Sequence, residues 1–123
     1  MKREVIAPAP VPRDLPLSPA IRYGDTLYVS AQLAADAGDV GAQTRAVLEK
    51  IAAIVTVGGG ELRDVLRCNV YLADIGTFAQ MNAVYGEFFP RDPPARTTIE
   101  CRMARPEILV EIDCVAAVPA KGS

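Results

Sequence analysis

Histidine is absent from this 123-residue chain, and that gap removes whole classes of chemistry. No Ser-His-Asp arrangement can be assembled, the acid–base pairs of a histidine-dependent ribonuclease have no candidates, and zinc sites built on clustered Cys and His are excluded. Cysteine is scarce: Cys68, Cys101 and Cys114 each fall in an apolar, strand-like run without CxxC spacing. They read as buried, reduced thiols of a cytosolic protein. Charge of one sign is lacking too. The formal net charge is −2, and Arg91, Arg96, Arg102 and Arg105 are interleaved with Asp92, Glu100 and Glu107, which speaks against nucleic-acid partners and an anionic membrane surface. Residues 1–8 lack the apolar run of a signal peptide, and no segment approaches the roughly eighteen apolar residues of a membrane span. The expectation is a soluble, cytoplasmic protein. With no repeats, low-complexity tracts or dividing linker, residues 1–123 are expected to form a single domain.

Half of the residues are apolar, enough to bury a core without cross-links. Five of the ten prolines lie in residues 7–19, which predicts an extended, irregular arm. Strand signals around 21–23 and 26–30 flank Gly24-Asp25, a hairpin turn that leaves Ser30, Ala31 and Gln32 at a strand end. Residues 42–57 carry Val47, Ile51, Ile54 and Val55 at helical spacing. No GKS/T follows Gly58-Gly59-Gly60, so these glycines read as a helix C-terminal turn rather than a phosphate loop. Residues 65–73 alternate, with Leu66, Cys68, Val70 and Leu72 on one face and Val65, Arg67, Asn69 and Tyr71 on the other. A second helix, capped by Asp74 or Thr77 and stopped by Pro90, presents Phe78, Met81, Val84, Tyr85, Phe88 and Phe89 as a core stripe. Strands over 96–103 and 108–118 complete the chain. The fold class predicted is α+β, a mixed β-sheet with two helices packed on one face. Both faces of the last strand are largely apolar, which calls for a partner subunit over the uncovered side.

Two charged residues stand out. Arg96 follows the stiff Pro93-Pro94 pair, and its planar fork suits a carboxylate, each charge-assisted bond contributing about 1.5–3 kcal/mol. An interface salt bridge would account for it equally well. Glu111 sits in an otherwise apolar strand, where a carboxylate either balances an arginine or holds and polarises a water. On neighbouring strands, the pair would bind an acid and activate water. Ser30 has no base beside it and reads as a hydrogen-bonding group, as does Asn82.

In order and spacing, several segments resemble the Rid, or YjgF, family of reactive-intermediate deaminases across nearly the whole chain. They are Ala7-Pro8, Ser18-Pro19-Ala20-Ile21, Val29-Ser30-Ala31-Gln32, Asn69-Val70-Tyr71-Leu72-Ala73-Asp74, Met81-Asn82-Ala83-Val84-Tyr85, Phe89, Pro94-Ala95-Arg96 and Val110-Glu111-Ile112. The resemblance implies a homotrimeric, chorismate-mutase-like barrel of three sheets, with helices outside and ligand clefts between subunits. It implies hydrolysis of enamine and imine acids to keto acids and ammonia, without metal or organic cofactor. Arg96 matches the arginine that clamps the substrate carboxylate and Glu111 the glutamate that positions water; Ser30, the backbone at Ala31, Asn82 and Thr98 would line the cleft. Leu17 replaces a cleft tyrosine, Ala31 a usual glycine, and Thr98 a frequent cysteine. The stretch Arg105-Pro106-Glu107-Ile108-Leu109-Val110-Glu111-Ile112, with Ala42-Gln43-Thr44-Arg45, resembles members of catabolic pathways acting on aminoacrylate or 2-aminomuconate. The alternative is a trimeric small-acid binding or regulatory module without turnover, which needs Arg96 but tolerates Glu111→Gln.

Overall fold

Residues 2–11 and 14–119 are described by a computed structural model. Strand alternation organises it: β6 (Val110–Ala117) buries Val110, Ile112, Cys114 and Ala116 on one face and turns Glu111, Asp113 and Val115 to the other. On one side β6 pairs antiparallel with β3 (Thr26–Gln32), which forms a hairpin with β2 (Ala20–Tyr23), itself bordered by β1 (Arg3–Ile6). On the other side β6 pairs antiparallel with β4 (Val65–Leu72), and β4 pairs parallel with β5 (Ala95–Glu100) at the sheet edge. The order is therefore β1-β2-β3-β6-β4-β5. Because β3 and β4 are both antiparallel to β6, they run parallel to each other, and each parallel step needs a crossover. α1 (Val40–Val57) makes the first and α2 (Phe78–Phe88) the second, and the two helices lie side by side on one face. They bury Val47, Leu48 and Ile51 of α1 and Met81 of α2 against Leu27, Val70, Val110 and Ile112 of the sheet.

The helix ends follow from local chemistry. Asp39 caps α1, its carboxylate accepting from the Ala42 N–H at 2.9 Å. At the other end Gly59 N–H donates to the Thr56 carbonyl and Gly60 N–H to the Val55 carbonyl, with Gly59 at φ +99°. The triple glycine is thus a helix terminus, as its context predicts. Buried Arg22 donates to the Gly58 carbonyl at 2.7 Å and also to the Pro119 carbonyl, placing a cation where α1 presents its negative end.

Several expectations are corrected. β1 was not anticipated, since four half-exposed residues carry too short a pattern. The final strands are shorter than 96–103 and 108–118, because residues 101–109 form a loop. Leu66, expected in the core, is more than half exposed. One extra residue in β4 between its pairings Val65 with Ala116 and Arg67 with Val115 interrupts the alternation. Phe78 is exposed rather than part of the core stripe, whereas Met81, Tyr85 and Phe89 are buried. Cys101 is half-buried, just past β5, unlike the buried Cys68 and Cys114. The proline-rich arm is irregular over its described part, and Pro12 and Arg13 lie outside the described residues.

The face away from the helices carries a cross-strand row: Val5 pairs with Ile21, Ile21 with Tyr28, Tyr28 with Val115 and Val115 with Arg67. Val5 and Tyr28 are each more than half exposed.

Gln43 of α1 fixes the loop that leads into β6. It is buried, its amide donates to the Gly38 and Glu107 carbonyls at 3.0 Å each, and its carbonyl accepts from the Leu109 N–H at 2.9 Å. Gln43→Leu keeps the bulk and strands these backbone groups, so it should lower stability by about 2–4 kcal/mol. Urea unfolding reads this as a lower midpoint at unchanged slope; a loss below about 0.5 kcal/mol would show that the clamp does not hold the loop.

Candidate active site

Arg96 enters β5 behind a rigid turn: Asp92 adopts φ 45° and Pro93-Pro94 follows. Register puts Arg96 beside Cys68 and Thr98 beside Val70, so both side chains point to the helix-covered face. There α2 presents Phe78, Asn82 and Tyr85 at i, i+4 and i+7, one stripe of the helix. The Arg96 guanidinium lies 4.7 Å from the Tyr85 ring centroid and 5.4 Å from that of Phe78, and donates to Asn82 Oδ1 at 2.8 Å. Among the described residues no carboxylate forms an ion pair with it. Aromatic faces stabilise the cation without neutralising it, and among the described residues four of its five N–H donors remain uncommitted. Nearby, among the described residues, Thr98 Oγ1 and the buried Tyr85 hydroxyl make no hydrogen bond of ordinary geometry, although the Cys68 thiol lies close enough to act on the phenol. Burial pushes the Tyr85 phenol up, with the Cys68 thiol adding to the effect; burial likewise raises Cys68.

Glu111 faces the other way. It pairs with Tyr71 across β4 and β6 and makes no hydrogen bond or ion pair among the described residues. Burial raises its carboxyl above the ordinary 4.5, since there is no partner to favour the ionised form. It borders a cavity of about 270 Å³ with Ala31, Tyr71, Cys101, Arg102 and Asp113. Asp113 organises this wall, accepting from Asn69 Nδ2 at 2.9 Å and the Tyr71 hydroxyl at 2.7 Å. The Tyr71 phenol is pushed up to about 12, first by that bond to Asp113 and then by burial, so it stays protonated near neutral pH. Tyr71 and Asp113 are not singled out by the sequence: alternation gives the face each takes on its own strand, but only the register of β4 on β6 brings them together.

The structure does not bring Arg96 and Glu111 together within one chain. β5 and β6 are not neighbours as expected: β4 lies between them, and the two side chains occupy opposite faces of the sheet. Asn82 joins Arg96, with Thr98 next along the same face, while Ala31 joins Glu111. Ser30 is engaged with the arm, its hydroxyl donating to the Ser18 carbonyl at 2.6 Å and its N–H to the Pro19 carbonyl at 2.9 Å. Leu17 is exposed and lines a separate, apolar cavity that Ala31 also borders. The aromatic clamp around Arg96 was missed because Phe78 and Tyr85 were assigned to one core stripe; their i, i+7 spacing about Asn82 is the signal that could have found it. Among the described residues, no three Cys, Asp or Glu side chains gather as a metal site. No helix among those residues is long and apolar enough to cross a membrane.

A family model described as Endoribonuclease L-PSP matches residues 8–118, a span that includes all of these candidate residues. A RutC family protein of Pyrococcus horikoshii is 38% identical over 122 residues, covering 93% of this chain and 97% of that protein. Among solved structures, a YjgF family member from Neisseria meningitidis superposes with a TM-score of 0.87 at 29% identity over 96% of each chain. A Mycobacterium tuberculosis member of the YjgF/YER057c/UK114 family gives a TM-score of 0.84 at 26% identity, covering 95% of this chain and 100% of that one. With the six-strand mixed sheet and its two helices, these matches establish that the chain belongs to the YjgF/YER057c/UK114 family, which includes the RutC and endoribonuclease L-PSP proteins.

Proposed function

We propose that the protein hydrolyses reactive enamine and imine carboxylic acids to keto acids and ammonia. The observation that carries this reading is the Arg96 guanidinium, held by Asn82 between two aromatic rings and without a carboxylate partner among the described residues. It is a preorganised fork for the substrate's acid group. Glu111 supplies the second half of the chemistry. Protonation of an enamine at carbon gives an iminium whose carbon accepts water. Glu111 takes a proton as the water oxygen bonds to that carbon and returns it to nitrogen; as the C–N bond breaks the carbinol hydroxyl gives its proton to Glu111, the C=O forms, and the keto acid and ammonia separate. A carboxyl raised by burial is a stronger base than an exposed one, and the Tyr71 phenol is held as a donor to Asp113 in the same wall.

Opposite faces of one sheet cannot meet on one small substrate, so this reading requires a second copy: Arg96 of one subunit faces Glu111 and Ala31 of its neighbour. The row of exposed Val5 and Tyr28 with the partly exposed Ile21 and Val115 supports an assembly closed over that face, and resemblance to the Rid family favours a homotrimer. Endoribonuclease action is the weaker reading, since the chain has no histidine and a net charge of −2.

Ammonia release above the spontaneous background, from freshly generated 2-iminopropanoate, aminoacrylate and 2-aminomuconate, tests the reaction. Arg96→Ala should lower kcat/KM by at least about 100-fold, the loss of two charge-assisted bonds. Glu111→Gln should keep keto-acid binding while kcat falls by about 10²–10⁴-fold. A Glu111→Gln protein as active as the wild type would leave only small-acid binding. Light scattering should give a trimer, and a stable monomer would end the intersubunit site.

The pH dependence has a defined sign. Because the Glu111 carboxyl is raised in the folded chain, the acid limb of kcat/KM should lie above 4.5 and disappear in Glu111→Gln. The folded chain also binds that proton more tightly than the unfolded one, so stability falls as pH rises through the folded value. Glu111→Gln should therefore melt no lower than the wild type at pH 7–8. A wild-type acid limb at or below the ordinary glutamate value would remove Glu111 from the base role.

A further inference from the structure

The apolar cavity beneath the N-terminal arm is larger than the one at Glu111, about 490 Å³ against about 270 Å³. Val11, Leu15 and Leu17 of the arm form one wall and Leu33, Ala53 and Ile54 the other. Leu15 and Leu17 are about half exposed although they are large and apolar, a pattern that marks surface kept free for a ligand or partner. The polar side chains in the lining, Gln32 and Lys50, are each tied to a backbone carbonyl: Gln32 Nε2 donates to Ser30 at 3.0 Å and Lys50 Nζ to Leu33 at 2.5 Å. The other side chains of the lining are hydrocarbon, from Pro, Ala, Val, Leu and Ile. Ala31 borders both this cavity and the one at Glu111, so the two adjoin at a single residue.

We infer that this cavity receives the substrate's side chain, so that imine acids with branched or aromatic side chains are preferred over three- and four-carbon ones. The inference rests on the deaminase reading and extends it to a substrate class. A carboxylate on Arg96 of one subunit and a reacting carbon near Glu111 of the other leave the side chain to run past Ala31. Beyond Ala31 lies a space shaped for several carbons, with no free counter-charge for a second acid group other than the tethered Lys50. Leu17 and Ala31, which stand where tyrosine and glycine are common in the resembling family, both line this space. Each buried methylene adds about fourfold in binding, and hydrophobic pockets discriminate by about 10–200-fold per such group at most. A leucine-derived imine should therefore exceed an alanine-derived one by at least about tenfold in kcat/KM.

The test compares imines formed from alanine, leucine and phenylalanine by an amino-acid oxidase. In parallel, calorimetry compares binding of the stable keto acids 2-oxopropanoate and 4-methyl-2-oxopentanoate. The larger member of each pair should be favoured about tenfold or more. Ala53→Trp, which fills the cavity from α1, should collapse both ratios toward one. Leu15→Asp, on the exposed arm, should do the same if the tryptophan variant fails to fold. Turnover of every imine without a size preference, and equal keto-acid affinities, would overturn the subsite while leaving the deaminase standing. A size preference that survives both variants would also overturn this location. Preferential binding of the larger keto acid without any turnover would support the subsite and remove the deaminase; no turnover of any imine together with no binding of either keto acid would remove both.

Discussion

Side chains on a strand point alternately to the two faces of its sheet, and here that parity separates the two groups with the most chemical capacity. Arg96 shares a face with Cys68, Val70 and the helices; Glu111 shares the opposite face with Tyr71 and Asp113. No rotamer carries either side chain through the sheet. In the proposed reaction each protomer is thus a half-site twice over, with a cation on one side and a carboxylate on the other. The same parity puts the exposed Tyr28 and the partly exposed Val115 on the side of Glu111, so the apolar surface and the carboxylate share one face.

Each half-site keeps a charge or polar group that the fold does not satisfy. A lone guanidinium in a dry core would be prohibitive. Arg96 avoids this by lying between aromatic faces near the sheet edge, accepting weak stabilisation from Tyr85 and Phe78 in place of a counter-ion. Arg22 shows the contrast: it is buried, and three of its five N–H donors are committed to the backbone carbonyls of Gly24, Gly58 and Pro119. Glu111 carries its cost differently, as a carboxyl whose ionised form is disfavoured by burial. The Tyr85 and Thr98 hydroxyls, which make no hydrogen bond of ordinary geometry among the described residues, belong to the same pattern. Unsatisfied polar groups concentrate at the candidate site, whereas the buried polar group that holds the loop, Gln43, is bonded at both ends of its amide.

Much of this was legible in the chain. The period-two run of β6 assigns Ile112 and Glu111 to opposite faces, the 3.6-residue spacing of Val47, Ile51, Ile54 and Val55 marks α1, and three glycines without a GKS/T mark its end. Arg96 and Glu111 were visible as charged residues where apolar ones prevail. What escaped was set by pairing rather than pattern. Strand order decides that β4 intervenes between β5 and β6, and order is not encoded in either strand alone. The extra residue in β4 moves Leu66 to the surface, and a bulge is invisible in a sequence that alternates on both sides of it. Phe78 fits a core stripe by spacing, yet it sits at the first residue of α2, where the helix passes over the edge strand and a guanidinium takes the place of an apolar neighbour.

The irregularity in β3 has a consequence for the chemistry. Val29 pairs with Cys114 and Gln32 with Ile112, so β3 spends three residues where β6 spends two. In such a bulge the extra residue leaves the hydrogen-bond ladder and its backbone becomes available to other partners. Ser30 is drawn toward the arm by its bonds to Ser18 and Pro19, which leaves Ala31 as the residue turned toward the Glu111 cavity. A regular strand would have placed this position on the helix face and sealed it into the core. The bulge therefore accounts for how a small residue in a central strand borders both the carboxylate's cavity and the apolar space beneath the arm. A larger side chain at this position would divide the cavity at Glu111 from the one beneath the arm, which adjoin at Ala31.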